Sequence, residues 1–460
     1  MSRNTDVSDR VAELIEELGV DAVVTDPILI DNYRWDWSRS TATGMPLAVA
    51  RPADTAQVQT AVRWAARHRI PIVPRGAGSG LSGGSCAVEG CLLLSLDRMR
   101  AVEIDRSTRV AVAEPGALNV DVKLAAAAQG LWYPPDPSSF EICSIGGNVA
   151  TNAGGLCCVK YGVTTDYVLG LDVVLADGTL VQLGGRRIKD VAGLSLMKLF
   201  VGSEGTLGIV TRVILRLIPP KPAASTIVGY FPSVTAAAQA VVEVGTTMRA
   251  SMMELMDQAS INSVEDLRPM GLDRSAGAML LAQTDAPGSA RDEELALMER
   301  VFGECGATEV FSTDDPEEGE LFCAARRATF PAAERLGDLL LEDVGVPVPL
   351  LPRLLGGIEE IAAEHQVAIP TVAHAGDGNS HPIVVYDATD PDSTQRASAA
   401  FKAVMALAIA LGGTITGEHG VGRLKRDHLA DQLGPEVMAL THRIKTALDP
   451  DGLLNPGAGI

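Results

Sequence analysis

Apolar residues in this chain keep changing their spacing, and each change marks a different element. Val11, Leu14, Ile15 and Leu18 recur every three or four residues. That rhythm, following Met1 to Ser8, predicts an amphipathic surface helix rather than the unbroken apolar core of a signal peptide. Residues 55–68 read as a second helix, followed by a short strand over 70–73. Short β-like runs at 92–96, 102–104 and 110–113 are divided by polar turns, and 120–129 reads as a helix. The runs 168–176 and 179–183 flank Asp177-Gly178, a turn dipeptide, and predict a hairpin. This half is α+β rather than a ladder of alternating strands and helices.

The pattern breaks at Ile218-Pro219-Pro220-Lys221-Pro222, where proline stops any regular element. Domain boundaries favour such connections, so 1–218 and 219–460 are expected as separate domains. Beyond the break, 233–248 reads as a helix, 278–283 as a strand, 290–302 as an acidic helix and 314–318 as an acidic loop. Strands alternating with amphipathic helices predict an antiparallel sheet covered by helices on one face. Residues 399–411 are apolar almost all round, which predicts a buried helix ended by Gly412-Gly413.

Composition narrows the function. A chain of 460 residues, 47% hydrophobic and 21% charged, is long enough for two or three well-cored domains. Its formal charge of −20 repels nucleic-acid phosphates and anionic bilayers, so an acidic ligand needs local cations. The cysteines at 86, 91, 143, 157, 158, 305 and 323 show no secretory or metal-cluster spacing, so a reduced, cytoplasmic setting is expected. Apolar runs stop short of the roughly 20 residues that cross a bilayer, so membrane attachment is expected only peripherally or through a partner.

Three glycine-rich stretches and one histidine cluster carry the chemistry. Gly78-Ser-Gly-Leu-Ser-Gly83 fits the spacing of a dinucleotide fingerprint, but Gly84-Ser-Cys86 leads on to the strand at 92–96 instead of a helix. A Rossmann turn is therefore rejected, whereas a nest of backbone N–H groups for anionic oxygens is retained. Ser144-Ile-Gly-Gly-Asn148 and Gly202-Ser-Glu-Gly-Thr-Leu-Gly-Ile209 repeat the small-residue pattern. Near the C-terminus stand His374-Ala-Gly-Asp-Gly-Asn-Ser-His381 and Gly417-Glu-His-Gly-Val-Gly422. Two imidazoles with the carboxylate of Glu418 suit a divalent ion such as Zn²⁺, Mn²⁺ or Fe²⁺. A neutral imidazole suits proton abstraction near pH 7, which makes His419 the candidate general base.

In this order, with Pro134-Pro135-Asp136-Pro137-Ser138-Ser139 between the first two loops, the segments resemble the PCMH-type FAD domain of the vanillyl-alcohol oxidase superfamily. The His-x-Gly-Asp-Gly-Asn-x-His and Gly-Glu-His-Gly-x-Gly signatures resemble the C-terminal domain of flavoprotein 2-hydroxy-acid dehydrogenases, above all the glycolate oxidase flavoprotein and D-lactate dehydrogenase subgroup. The resemblance implies a two-subdomain FAD-binding domain, then an α+β substrate domain with an antiparallel sheet. About the last 45 residues, closing on Asp449-Pro-Asp-Gly-Leu-Leu-Asn-Pro456, would return to the first domain.

It also implies that Arg75, Gly76, Ala77, Gly78, Ser79 and Gly80, with Gly146, Gly147 and Asn148, line the flavin pyrophosphate. Pro135, Asp136 and Ser138 would lie near the isoalloxazine, Gly205 and Ile209 on the adenine and ribose side, with Asn152 and Asn455 as further cofactor contacts. No histidine stands between Arg75 and Ser85, so FAD is expected to be noncovalent. The metal ligands would be His374, His381 and Glu418. Arg326 or Arg327 fits the family's carboxylate clamp; adjacent arginines on a helix diverge, and Arg326 is the choice. Relatives acting on D-2-hydroxyglutarate place a lysine before the counterpart of Asp343, where this chain has Leu341-Glu342, and an asparagine where it has Ile383. Leu321 or Phe322, where a tryptophan is common, is expected to alter the pocket further.

The resulting expectation is an FAD-dependent D-2-hydroxy-acid dehydrogenase for a small substrate such as lactate or glycolate, assisted by a metal, zinc first. Electrons would pass to a quinone or an acceptor protein, with a homodimer or an iron–sulfur partner subunit as possible assemblies. The alternatives are a D-2-hydroxyglutarate enzyme, another flavin oxidase of the superfamily, or a noncatalytic flavin subunit of a larger complex.

Overall fold

The computed structural model describes residues 2–38 and 43–460; Met1 lies outside them. The chain forms two compact units. The first contains residues up to Ala153, then Val163–Pro220 and Glu418–Ile460; the second contains Gly154–Gly162 and Lys221–Gly417. The division thus falls two residues beyond the expected point at 218, and the chain crosses between units more than once. Gly154–Gly162 counts with the second unit because its side chains find partners there. Leu156 joins the core of Val228, Met252 and Met279, while Lys160 and Tyr161 both bond the buried carboxylate of Asp285. No proline or change of hydropathy marks this excursion.

In the first unit a four-stranded sheet runs in the order Val23–Val24, Ala48–Ala50, Leu92–Ser95, Ile72–Arg75. Leu92–Ser95 pairs in parallel with both of its neighbours. Its consecutive leucines serve two cores: Leu92 and Leu94 pack with Trp64 and Val58, and Leu93 with Val49 and Val73. Alternate residues point to opposite faces, so a parallel strand buried on both sides reads as a continuous apolar run. Each buried leucine is worth about 1.5–3 kcal/mol. The helix Thr55–His68 starts where Asp54 Oδ1 accepts the Gln57 N–H at 2.9 Å, and it buries Val58, Ala61, Val62, Trp64 and Ala65. No helix intervenes between Ile72–Arg75 and Leu92–Ser95, in keeping with the rejected Rossmann turn.

A second, five-stranded antiparallel sheet runs Val102–Asp105, Val110–Ala113, Ile209–Arg216, Val168–Val174, Leu180–Gly184. Its last two strands are the expected hairpin. The chain end joins the first sheet, where Leu453 O accepts the Ile72 N–H at 2.8 Å and Asn455 N donates to Ile72 O at 2.7 Å.

The second unit is built on an eight-stranded antiparallel sheet in which Met252–Asp257, Thr371–His374 and Asn379–Tyr386 are successive neighbours. Helices cover both of its faces rather than the one expected. Val228 and Tyr230 pack with Ile261, Val264 and Ala325, whereas a Cβ added at Gly229 between them would meet Phe302 at 2.7 Å. The strand Ser225–Phe231 is accordingly buried at every position. The acidic stretch 314–318 is not a loop throughout, because Asp315 caps the helix Pro316–Arg327, which has proline in its first turn. The helix expected at 399–411 is longer, Pro391–Ala410, and buries only one stripe, including Ala397, Ala400, Val404 and Ala408. Alanine tolerates both environments, so its abundance there hid the exposed face.

Candidate active site

Strand register assembles the histidine pair. His374 lies opposite Asn379 across the antiparallel pair, and His381 follows two residues later on the same face. The two imidazole centroids stand 4.9 Å apart with ring planes at 82°, and both side chains are buried. On the other side of Thr371–His374, Glu254 is the residue directly opposite His374, and its Oε1 lies 2.7 Å from His374 Nδ1. The second imidazole has a looser carboxylate neighbour, with His381 Nδ1 3.7 Å from Asp343 Oδ1. A carboxylate held at Nδ1 of His374 is the usual arrangement behind a metal-ligating histidine. The donor chemistry of this pair therefore fits a divalent ion.

Both carboxylates have second tasks. Glu254 Oε2 stands 2.9 Å from Arg326 Nε, an ion pair without hydrogen-bond alignment, at 1% and 7% side-chain exposure. Arg326 Nη2 is buried and has no hydrogen-bond partner among the described residues. A guanidinium with an uncommitted nitrogen suits an incoming carboxylate. Arg327 turns outward and pairs with Glu320. Asp343 Oδ1 accepts from Asn379 Nδ2 at 2.8 Å, and Oδ2 accepts from Thr416 Oγ1 at 2.7 Å and Gly417 N–H at 2.9 Å. Asp343 thus ties the turn between the two histidines to the end of this unit, and the chain enters the first unit at Glu418. Leu341 lies opposite Ile383, one side-chain step along from His381, and Glu342 is fully buried. Leu321 is 56% exposed and Phe322 packs on Phe311 at 5.3 Å. The pocket role expected of Leu321 is corrected accordingly: that side chain faces solvent.

In the first unit the glycine loops converge on shared side chains. Ser144 Oγ accepts N–H bonds from Ala77 and Gly147, each at 3.3 Å, and so joins the first loop to the second. At Gly76 any Cβ would stand 2.2 Å from that oxygen, so glycine is required for the approach. Asn119 Nδ2 donates to Asn148 Oδ1 at 3.0 Å and to Pro135 O at 3.3 Å, gathering the 134–139 stretch as well. Among the described residues, the N–H groups of Gly78, Ser79 and Gly80 donate to no protein acceptor. A row of free amides on a tight glycine loop fits a pyrophosphate, and these residues therefore fit FAD. Arg75 donates Nη1 to Trp35 O and folds over Gly78. Asn152 caps the helix Ile145–Thr151 at φ 55° and accepts the Thr165 N–H at 2.9 Å. Gly205 has φ 71° and Ile209 is buried at the start of its strand. Asn455 Nδ2 donates to Gly84 O at 2.9 Å and Glu204 O at 2.7 Å, while Oδ1 accepts from Arg423 Nη2 at 2.8 Å.

Glu418 and His419 open the last segment of this unit, with His419 Nε2 3.7 Å from Glu418 Oε1. The residues after them lie on Glu204, whose Oε1 and Oε2 accept the N–H groups of Val421 and Gly422 at 2.7 and 2.8 Å. Burial pushes the Glu204 carboxyl up to about 7, against the pull of those two N–H groups and of Arg423. The sequence reading missed Glu254, Asp343, Ser144, Asn119 and Glu204 as participants. Ser144 and Glu204 stood inside the glycine-rich stretches, but their side chains, like those of Glu254, Asp343 and Asn119, gain their partners only by strand pairing or loop packing.

Glycine loops with free amides in one unit and paired, carboxylate-backed histidines in the other define a flavin-binding oxidoreductase. Sequence models agree: one for the C-terminal domain of FAD linked oxidases matches residues 221–458, and one for an FAD binding domain matches residues 46–184. The chain belongs to the FAD-linked oxidase family. It is 41% identical over 416 residues to the glycolate oxidase subunit GlcD of Bacillus subtilis, covering 90% of this chain and 88% of that protein. It is 33% identical over 435 residues to a D-lactate dehydrogenase of Archaeoglobus fulgidus, covering 93% and 95% respectively. The fold is shared with p-cresol methylhydroxylase, with a TM-score of 0.83, 18% identity and coverage of 98% of this chain and 96% of that one. The protein is thus an FAD-dependent oxidoreductase. No helix among the described residues is long and apolar enough to cross a membrane.

Proposed function

We propose that this chain oxidises a small D-2-hydroxy acid, of the size of lactate or glycolate, to the 2-oxo acid, with noncovalent FAD and a divalent metal, zinc first. The observation that carries the reading is the buried pair His374 and His381, with Glu254 hydrogen-bonded behind the first and Asp343 near the second. FAD, when bound, would supply the hydride acceptor, and a metal held by His374, His381 and Glu418 would supply a Lewis acid that makes the substrate hydroxyl more acidic. Arg326 binds the substrate carboxylate through its uncommitted Nη2 while Glu254 holds its Nε. His419 takes the hydroxyl proton as the α-hydrogen leaves with its electron pair, so the alcohol loses two electrons and two protons in all. The apolar Leu341 and Ile383 beside His381 offer nothing polar to a second carboxylate, which favours a small or aliphatic substrate over 2-hydroxyglutarate. The activities for which the two relatives are named support the same substrate class.

Electrons leave to a quinone or an acceptor protein, and the relative that is itself a subunit supports a partnered assembly. Such an assembly would sit in the cytoplasm, reaching a membrane through its partner, and homodimers are compatible with it. The deciding experiment is an anaerobic titration of the purified flavoprotein with D-lactate, L-lactate, glycolate and D-2-hydroxyglutarate, following flavin absorbance with and without chelator. Selective bleaching by D-lactate or glycolate, lost on chelation, supports the reading. Bleaching by D-2-hydroxyglutarate alone moves it to that substrate. A flavin that stays oxidised with all of them favours the noncatalytic subunit.

A further inference from the structure

A buried acid that the proposed chemistry leaves idle stands in the third glycine loop. Glu204 is 9% exposed and has φ 51°, a left-handed conformation that non-glycine residues adopt rarely. Among the described residues its carboxylate makes no direct ion pair; both of its oxygens are spent on backbone N–H groups of the 419–422 loop, at 2.7 and 2.8 Å. From the opposite side Ser82, in the first glycine loop, donates Oγ to Gly420 O at 2.8 Å and to His419 O at 3.3 Å. The same loop is closed below by Ser82 O, which accepts the Arg423 N–H at 2.9 Å and would stand 1.9 Å from a Cβ on Gly422. Arg423 in turn binds Gly83 O at 2.7 Å and Asn455 Oδ1 at 2.8 Å, and Asn455 binds the Glu204 carbonyl. Donors and acceptors of the 419–422 backbone are thus gripped by residues from two loops that also carry the cofactor contacts.

We propose that Glu204, with Ser82, is the positioning residue that fixes the His419 imidazole by clamping the backbone that directly follows it. Both Glu204 carboxylate oxygens face the loop's N–H groups, so the side chain acts through the loop. The proposal rests on the reading of His419 as the base. A carboxylate is needed because it offers two acceptors to two parallel N–H groups, a geometry like that of an anion in a nest. Glutamine replaces one acceptor with an NH₂ that faces an N–H, which leaves a buried donor unsatisfied. The backbone must then move, and displacement of a catalytic group by about 1 Å costs on the order of 100-fold in rate.

The test compares Glu204→Gln, Glu204→Asp and Ser82→Ala with the wild-type holoenzyme. Expected for Glu204→Gln is a fall in kcat of about 10–100-fold with KM within about twofold and flavin content unchanged. Glu204→Asp, which keeps both acceptors on a shorter arm, recovers part of the loss, and Ser82→Ala costs less than Glu204→Gln. Histidine-ring NMR, with His419 assigned by its loss in His419→Asn, reads the clamp without reference to turnover. The His419 resonances should move in Glu204→Gln while those of His68 and His365 stay. Unchanged kcat together with unmoved His419 signals would overturn the clamp. Moved His419 signals in an enzyme that no hydroxy acid reduces would keep the clamp and remove the base assignment instead.

Discussion

The two units hold their chemistry by opposite means. In the second, reactive side chains stand on adjacent strands and are turned by other side chains, Glu254 behind His374 and Asp343 near His381. In the first, backbone amides are left without protein acceptors or are gripped by a carboxylate, on loops kept close by glycine, Ser144 and Asn119. A strand pair places side chains at fixed separations, which suits a metal that demands short ligand distances. A glycine loop presents several N–H groups at once, which suits the spread charge of a pyrophosphate. The contrast teaches that substitution of the strand side chains should injure metal chemistry and substitution in the glycine loops flavin retention.

The largest break would come at His419, a reactive side chain of the first unit. His419→Ala should lower kcat by about 100–10,000-fold with FAD retained, as read by anaerobic flavin reduction; undiminished turnover would remove the base. Next, Glu254→Gln should cut metal affinity or activity by about 10–100-fold while leaving the flavin spectrum intact, as measured by metal content and turnover. Loss of flavin instead would blur the division. Gly76→Ala sharpens it from the other side: its Cβ meets Ser144 Oγ, so FAD affinity should drop with metal content unchanged, checked by flavin release on dilution.

The smallest effect is on stability. Burial pushes the Asp257 carboxyl up to about 6 despite N–H bonds from Ser260 and Thr371. The folded state therefore holds this proton more tightly than the unfolded chain. Its contribution is complete below pH 4 and fades as pH rises through 6, by up to about 3 kcal/mol. Thermal midpoints measured from pH 4.5 to 7.5 should show a decline from this group that Asp257→Asn flattens.

Much of this was legible in one dimension. The hairpin around Asp177-Gly178 was readable because a turn dipeptide between strand-like runs is a local signal, and the absent Rossmann helix because the next apolar run follows too soon. His374, His381, Glu418 and His419 stood out because reactive residue types among glycines are rare. Local sequence also required Arg326 and Arg327 to diverge, since neighbours on a helix do, but which of them turns inward was set by packing. The excursion at Gly154–Gly162, the helices on both sheet faces and the exposed side of Pro391–Ala410 depended on which surfaces met, and alanine-rich or leucine-rich stretches do not declare that. The partners of the reactive residues were hidden for the same reason. Glu254 lies 120 residues from His374, and Glu204 lies 217 from Val421. Sequence alone determined which chemistry this chain can perform, because that depends on residue types and local conformation. Only the tertiary structure decided which carboxylate holds which histidine or loop, because pairing across such separations is set by strand register and loop packing.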